Sequence, residues 1–130
     1  AIFAALTAIF AKIGITGVNS DFATFVRTVV ILLAIALMLT LAGNWQAPGS
    51  VSAKSWIFLV LSGLATGASW LCYFRALQIG KAAQVAPVDK LSVVLVAVFA
   101  VLFLGEQLST AHWIAVVMIG GGALLLAFPI

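Results

Sequence analysis

Apolar stretches about 20 residues long, separated by short polar clusters, limit the possible fold of this chain more than any other feature. A run of about that length is what an α-helix needs to cross the hydrocarbon core of a bilayer. Only helices and closed barrels span hydrocarbon, and these runs lack the period-two alternation of barrel strands. Only 7% of the residues are charged, against roughly 25% in ordinary globular proteins. The sequence therefore predicts an all-α, multi-pass membrane protein.

The polar clusters divide the chain into five transmembrane helices. We predict a single five-helix module, residues 1–130, with helices at about 1–16, 22–42, 55–78, 82–104 and 111–128. The first helix is short for a crossing. Ser20 or Asp21 is the predicted N-cap of the second helix. We call the side that holds the connections at residues 17–21 and 80–81 the near face, and the opposite side the far face.

Four charged residues lie well inside the predicted helices, whereas Arg75, near the end of the third helix, can extend its side chain to the surface. At about 1.5 Å of rise per residue, Lys12 and Arg27 lie roughly 8 to 9 Å below the near face, and Asp89 and Lys90 roughly 12 to 13 Å below it. A charge at membrane depth costs roughly 2.5 kcal/mol or more and usually faces protein or water. Three cations and one carboxylate leave a net charge of +2, which attracts an anionic solute. We predict that these four residues bind substrate.

Two alternative interpretations of these charges remain open. The long side chains of Lys12 and Arg27 can extend to the headgroups of the near face. Asp89 can instead pair with Arg27 or Lys12 as a static bond between helices. A carboxylate has a short stem and reaches the headgroups less easily, so Asp89 is the strongest indication of a polar pathway, and it is also a candidate proton carrier.

Pro87 precedes Asp89 by two residues. A proline inside a helix removes one hydrogen bond and frees a carbonyl group four residues earlier, here that of Ala83. A kinked helix beside a charge is typical of solute sites at membrane depth. The alternative is that Pro87 only marks the first turns of the helix, where proline is tolerated.

The third helix carries hydroxyl and aromatic side chains near the predicted charges. Ser62, Thr66, Ser69 and Tyr73 follow a spacing of four, three and four residues, which places them on one helical face. We predict that Thr66, Ser69, Trp70 and Tyr73 line the path of the solute. The alternatives are helix packing for the small residues and an interfacial aromatic belt for Trp70 and Tyr73.

Several other classes of function find no support in the sequence. Glu106 and His112 have no partners at the spacing of metal ligands, so no metal site or other cofactor is predicted. No nucleophile, base and orienting group occur together, which argues against an enzyme. The basic residues are scattered over separate helices and form no nucleic-acid-binding patch. Cys72 is the only cysteine, so no disulfide forms within the chain.

Three segments carry a resemblance to a known family. VAPVDKLSVVLVAVFAVLFLGEQLS, the preceding ALQIGKAAQVAP, and KIGITGVNSDFATFVRTVV resemble EamA-type modules of the drug/metabolite transporter superfamily. The chain looks most like the small five-helix bacterial and archaeal transporter group. The resemblance implies that this chain is one half of a ten-helix inverted-repeat architecture and forms a homodimer, parallel or antiparallel. The motif residues carried over are Lys12, Arg27, Pro87, Asp89 and the Gly105–Glu106 pair.

We therefore expect a secondary transporter that moves small polar or anionic metabolites across the cytoplasmic membrane as a dimer, by alternating access. One alternative is a flippase-like protein that moves an anionic or sugar-linked lipid headgroup. Another is a membrane assembly subunit that transports nothing. When the intramembrane charges are set aside, the near face has two basic residues, Arg75 and Lys81, and the far face has one, Lys54. This difference is too small to predict the orientation of the chain in the membrane.

Overall fold

The computed structural model describes residues 1–128, and within them the chain is helical without any strand. The helices are α1 (Ile2–Gly14), α2 (Ser20–Ala42), α3 (Ala53–Ile79), α4 (Ala82–Asp89), α5 (Ser92–Phe103) and α6 (Thr110–Ala127). A short 3-10 turn, Pro48–Ser50, lies between α2 and α3. Four spans are long and apolar enough to cross a membrane, with α4 and α5 together forming one of them, and α1 is a shorter apolar helix. The predicted all-α fold with five apolar helices is confirmed.

The predicted N-cap of the second helix is wrong, because the cap is Asn19, one residue before Ser20 and two before Asp21. Asn19 caps α2, because its side-chain oxygen accepts the backbone N–H groups of Asp21 at 2.9 Å and Phe22 at 3.1 Å. Asn19 has the extended backbone that a cap residue needs. Ser20 is therefore free to point into the protein, where it is buried, and the Asp21 carboxylate is available for another partner.

Residues 11–78 form one compact unit. Its buried side chains lie near the α1–α2 turn and the last turns of α3: Ile15, Ser20, Thr24, Phe74 and Leu77. The Thr24 hydroxyl donates to the Ser20 carbonyl at 2.9 Å, so burial leaves it satisfied. Most other side chains of α2 and α3 are exposed and apolar, which suits contact with lipid.

The second compact unit consists of residues 1–10 and the described chain from residue 79 onward. In this unit α6 packs against α4 and α5. Gly120 is buried, and a Cβ atom at this position would lie 3.0 Å from a methyl group of Val94. The absence of a side chain at Gly120 therefore permits the close approach of α5 and α6.

The predicted fourth helix is interrupted at Lys90 and Leu91. Pro87 lies inside α4, three residues before the interruption. The N–H of Lys90 donates to the Pro87 carbonyl at 3.0 Å, and the N–H of Leu91 donates to the Val88 carbonyl at 3.0 Å. These bonds span three residues instead of four, so the interruption is a tightened turn between two helices that continue the same apolar span.

Candidate functional site

Arg27 lies on α2 and contacts two aromatic rings of α3. Its guanidinium carbon is 4.5 Å from the ring centroid of Trp70 and 5.1 Å from that of Phe74. A cation within about 6 Å of a ring centroid is attracted by the negative face of the ring. Trp70 and Phe74 are four residues apart and therefore share one face of α3. The structure thus brings together Arg27 and Trp70, two of the predicted substrate-binding residues.

Tyr73 belongs to the same region. It is half-buried, and its ring centroid lies 6.0 Å from that of Phe74 at an angle of 43°. It is also close enough to Arg27 to interact electrostatically. Arg27, Trp70 and Tyr73 therefore form one cationic and aromatic cluster, with Phe74 beneath it. We call these four residues the Arg27 cluster.

The only carboxylate of this unit is already paired with another arginine. Asp21 is the only carboxylate among residues 11–78. It accepts two hydrogen bonds from Arg75, from Nε to Oδ1 at 3.2 Å and from Nη2 to Oδ2 at 2.9 Å. Within residues 11–78, Arg27 makes no ion pair and donates no hydrogen bond. Within this unit the guanidinium contacts the two aromatic rings, and Tyr73 also interacts with its charge.

Sequence reasoning missed the pair of Asp21 and Arg75. The two residues are 54 positions apart, and nothing in the pattern of either helix links them. The bidentate geometry fixes the start of α2 to the end of α3. Both side chains remain substantially exposed, with 66% of Arg75 and 47% of Asp21 accessible, so this pair orients the helices more than it stabilises them.

Lys12 contacts the end of α3. Its ammonium donates to the carbonyl of Leu77, one of the last carbonyls of α3, which lack partners within their own helix. In return the side-chain amide of Gln78 donates to the carbonyls of Ile15, at 3.4 Å, and Val18. Lys12 therefore caps the end of α3, and Gln78 binds the turn that follows α1. A cation at a helix C-terminus is also favoured by the helix dipole.

Thr66 and Ser69 lie farther along α3 and are exposed. The Thr66 hydroxyl donates to the carbonyl of Ser62 at 2.9 Å, within its own helix. Their predicted role in lining the solute path stays a prediction.

Asp89, Lys90 and Pro87 lie in the other unit. Asp89 Oδ2 is 3.6 Å from Lys90 Nζ, and 40% and 57% of these side chains are exposed. Pro87 and Lys90 line an open groove of about 400 Å³ between α4 and α6, opposite Gly122. An exposed ion pair beside an interrupted helix is unusual in an apolar span and indicates contact with water or another protein surface.

Acidic and sulfur ligands are sparse among the described residues. Within residues 1–128, no three His, Cys, Asp or Glu side chains lie close enough together to hold a metal ion. The ring of His112 contacts the Ser109 hydroxyl at 3.0 Å, and Ser109 caps α6. Glu106 follows Gly105, whose φ of 67° ends α5, and its N–H donates to the Ala100 carbonyl at 3.2 Å. Both regions serve helix ends.

Comparison with known proteins identifies the family. Residues 1–128 match the EamA-like transporter family. A protein of Sinorhizobium sp. named "Uncharacterized transporter in cobO 3'region" is 61% identical over 127 residues, which cover 98% of this chain and 90% of the relative. No solved structure matches the chain. The family match and the apolar helices agree on a multi-pass membrane transporter, and this chain belongs to the EamA-like transporter family.

Proposed function

We propose that this protein is a secondary transporter of small polar or anionic metabolites in the cytoplasmic membrane. The observation that carries the proposal is Arg27. It lies about 10 Å along α2 from Ser20, at 1.5 Å of rise per residue, and it donates no hydrogen bond within residues 11–78. A cation at that depth in a membrane helix is expensive and usually serves a solute pathway.

Asp89 and Lys90 supply the second part of the proposal. They lie where the helical hydrogen bonds of the fourth span are interrupted. Transporters commonly place their binding residues at such discontinuities, because the helix ends and freed backbone groups there bind solutes and ions. We assign Asp89 as the proton carrier and Lys90 as its partner. We assign Arg27, Trp70 and Tyr73 to solute recognition.

We further propose that the working unit is a homodimer. Five helices hardly enclose a solute while keeping polar groups away from lipid. The relative from Sinorhizobium sp. is matched over 90% of its length, so that protein is about one module long. A second copy supplies the missing walls. A single cysteine is placed near one terminus in a Cys72→Ala background, and its reaction with a membrane-impermeant reagent is measured in intact membranes. In antiparallel dimers this terminus reacts from both sides of the membrane. In parallel dimers it reacts from one side.

Proton flux in liposomes tests the transport mechanism. Protein is reconstituted with a pH-sensitive dye inside, and gradients of succinate, glutamate or glycerol 3-phosphate are applied outside. We expect the wild type to couple solute entry to proton movement and Asp89→Asn to lose that coupling. Glu106→Gln, which removes an exposed carboxylate at a helix end, is the matched control and retains it.

The same assay has two outcomes that contradict the proposal. Unchanged proton coupling in Asp89→Asn removes Asp89 from the role of proton carrier. The absence of any solute-driven proton flux in the wild type with succinate, glutamate and glycerol 3-phosphate refutes the proposed secondary transport of anionic metabolites.

A further inference from the structure

We propose that Arg27 is a bidentate receptor for a carboxylate or phosphate group, held in place by Trp70 and Phe74. This inference rests on the proposed transport function and narrows its substrate class. The group recognised has two oxygens that match the planar fork of a guanidinium. The rest of the solute is not constrained by this contact.

The first argument concerns the unused hydrogen-bonding capacity of Arg27. A guanidinium has five N–H donors and no acceptor. Contact with the rings of Trp70 and Phe74 attracts the charge without providing an oxygen acceptor. None of the donors bonds to residues 11–78. Arg27 is half-buried inside a membrane helix. N–H donors that lack an acceptor in such a position cost free energy, so these donors require an acceptor from outside residues 11–78.

The second argument concerns the other charges of the same unit. Asp21 is held by both nitrogens of the Arg75 fork, so it is not available to neutralise Arg27. The Lys12 ammonium is engaged with the Leu77 carbonyl at the end of α3. Among residues 11–78, all of which the structure describes, Arg27 is the intramembrane cation that forms no ion pair and donates no hydrogen bond. The ligand that satisfies it is therefore anionic.

The third argument concerns rigidity. Only 1% of Phe74 is exposed, so its ring is fixed by packing. Trp70 is half-buried four residues earlier on the same face of α3, which leaves part of the cluster accessible. An arginine already held by rigid rings loses little further conformational freedom on binding. Trp70 and Phe74 are thus positioning residues for Arg27.

Trp70 also provides the readout. Substituting Trp45, Trp56 and Trp113 with Phe leaves Trp70 as the single tryptophan. The protein is placed in nanodiscs of phosphatidylcholine and titrated with succinate, inorganic phosphate or the neutral diamide of succinate, while Trp70 emission is recorded. We expect saturable changes with the two anions and none with the diamide, because only the anions bind the guanidinium in contact with Trp70.

Variants of Arg27 test the fork. Arg27→Lys keeps the charge but offers a point charge instead of two parallel donors. We expect it to weaken anion affinity by about tenfold to a hundredfold, the range expected for losing a charged hydrogen bond, and Arg27→Gln to abolish the saturable change. Lys54→Gln, an exposed basic residue at the start of α3, retains wild-type affinity. Circular dichroism confirms that each variant is folded.

The result that overturns the inference is anion binding by folded Arg27→Gln with wild-type affinity. Equal affinity for Arg27→Lys and the wild type overturns bidentate recognition. A second set of nanodiscs containing phosphatidic acid distinguishes the source of the anion. If Trp70 responds to this lipid and not to soluble anions, the group recognised is a lipid phosphate, which still supports the receptor chemistry and favours a flippase-like substrate.

Failure of this inference and failure of the proposed transport function give different results. Anion binding at Arg27 without any flux in liposomes refutes transport and leaves the receptor intact. Conversely, unchanged flux of succinate and glycerol 3-phosphate in Arg27→Gln refutes the receptor and leaves transport intact.

Discussion

Replacing Lys12 by Met separates a structural role of this lysine from a direct role in solute binding. The lysine ammonium donates to the Leu77 carbonyl at the end of α3. Methionine is also unbranched, so it retains the packing of the stem while removing the charge and the donors. We expect Lys12→Met to destabilise the protein, while transport per folded molecule falls much less than for Arg27→Gln.

The magnitude follows from the two interactions that are lost. A hydrogen bond from a charged donor contributes about 1.5 to 3 kcal/mol in soluble proteins, but membrane measurements of interhelical hydrogen bonds average about 0.6 and reach about 1.7 kcal/mol. A cation at a helix C-terminus adds about 0.3 to 1 kcal/mol. We therefore expect a loss of about 2 kcal/mol, which corresponds to a change of about 30-fold in the unfolding equilibrium.

Equilibrium unfolding in mixed micelles with increasing dodecyl sulfate, followed by helical circular dichroism, measures this loss. Lys12→Arg keeps a charged donor and should recover most of the stability. Lys54→Met removes an exposed lysine outside this contact and should change stability by no more than about 0.5 kcal/mol. Our reasoning is refuted if Lys12→Met unfolds at the same midpoint as the wild type but loses all flux. Lys12 would then act on the solute and not on α3.

Three further predictions are checked by the same unfolding measurement. Asn19→Ala removes the N-cap of α2 and should cost about 1 kcal/mol, whereas Asn44→Ala, in an exposed loop, should be neutral. Gly120→Ala should be less stable than Gly121→Ala by about 1 kcal/mol, because only a Cβ at position 120 meets a neighbouring methyl group. Equal stabilities would show that α5 moves to accommodate the added methyl group at little cost. Gln78→Met removes the donor to two carbonyls of the turn that follows α1 and should cost about 1 kcal/mol. An unchanged midpoint would show that Gln78 does not stabilise this turn.

Much of the fold was predictable because it depends on local properties of the chain. The number and approximate ends of the apolar helices follow from run length and polar clusters, and α2, α3 and α6 begin and end within two residues of the predicted bounds. The fourth span was less predictable. Pro87 indicated a disturbance, but the interruption falls at Lys90 and Leu91. It lies there because the N–H groups of these two residues donate to carbonyls three residues earlier instead of four.

The candidate site was predictable only in part. Charge inside an apolar helix marked Arg27, and helical spacing placed Tyr73 on one face of α3 with Thr66 and Ser69. Sequence reasoning did not find Phe74, since a buried Phe in an apolar helix carries no signal of its own. It also did not anticipate that Lys12 caps α3, because a capping carbonyl belongs to the backbone and leaves no mark on the sequence.

The sequence by itself determined the class of this protein: its apolar helices, its intramembrane charges and its membership of a transporter family. Only the tertiary structure decided which charges already have partners. Each residue turns the helix by about 100°, so a sequence shows which side chains share a face but not which faces of two helices meet. The way α2 and α3 face each other pairs Asp21 with Arg75 and places Arg27 against Trp70 and Phe74. The N–H donors of Arg27 bond to no residue among 11–78.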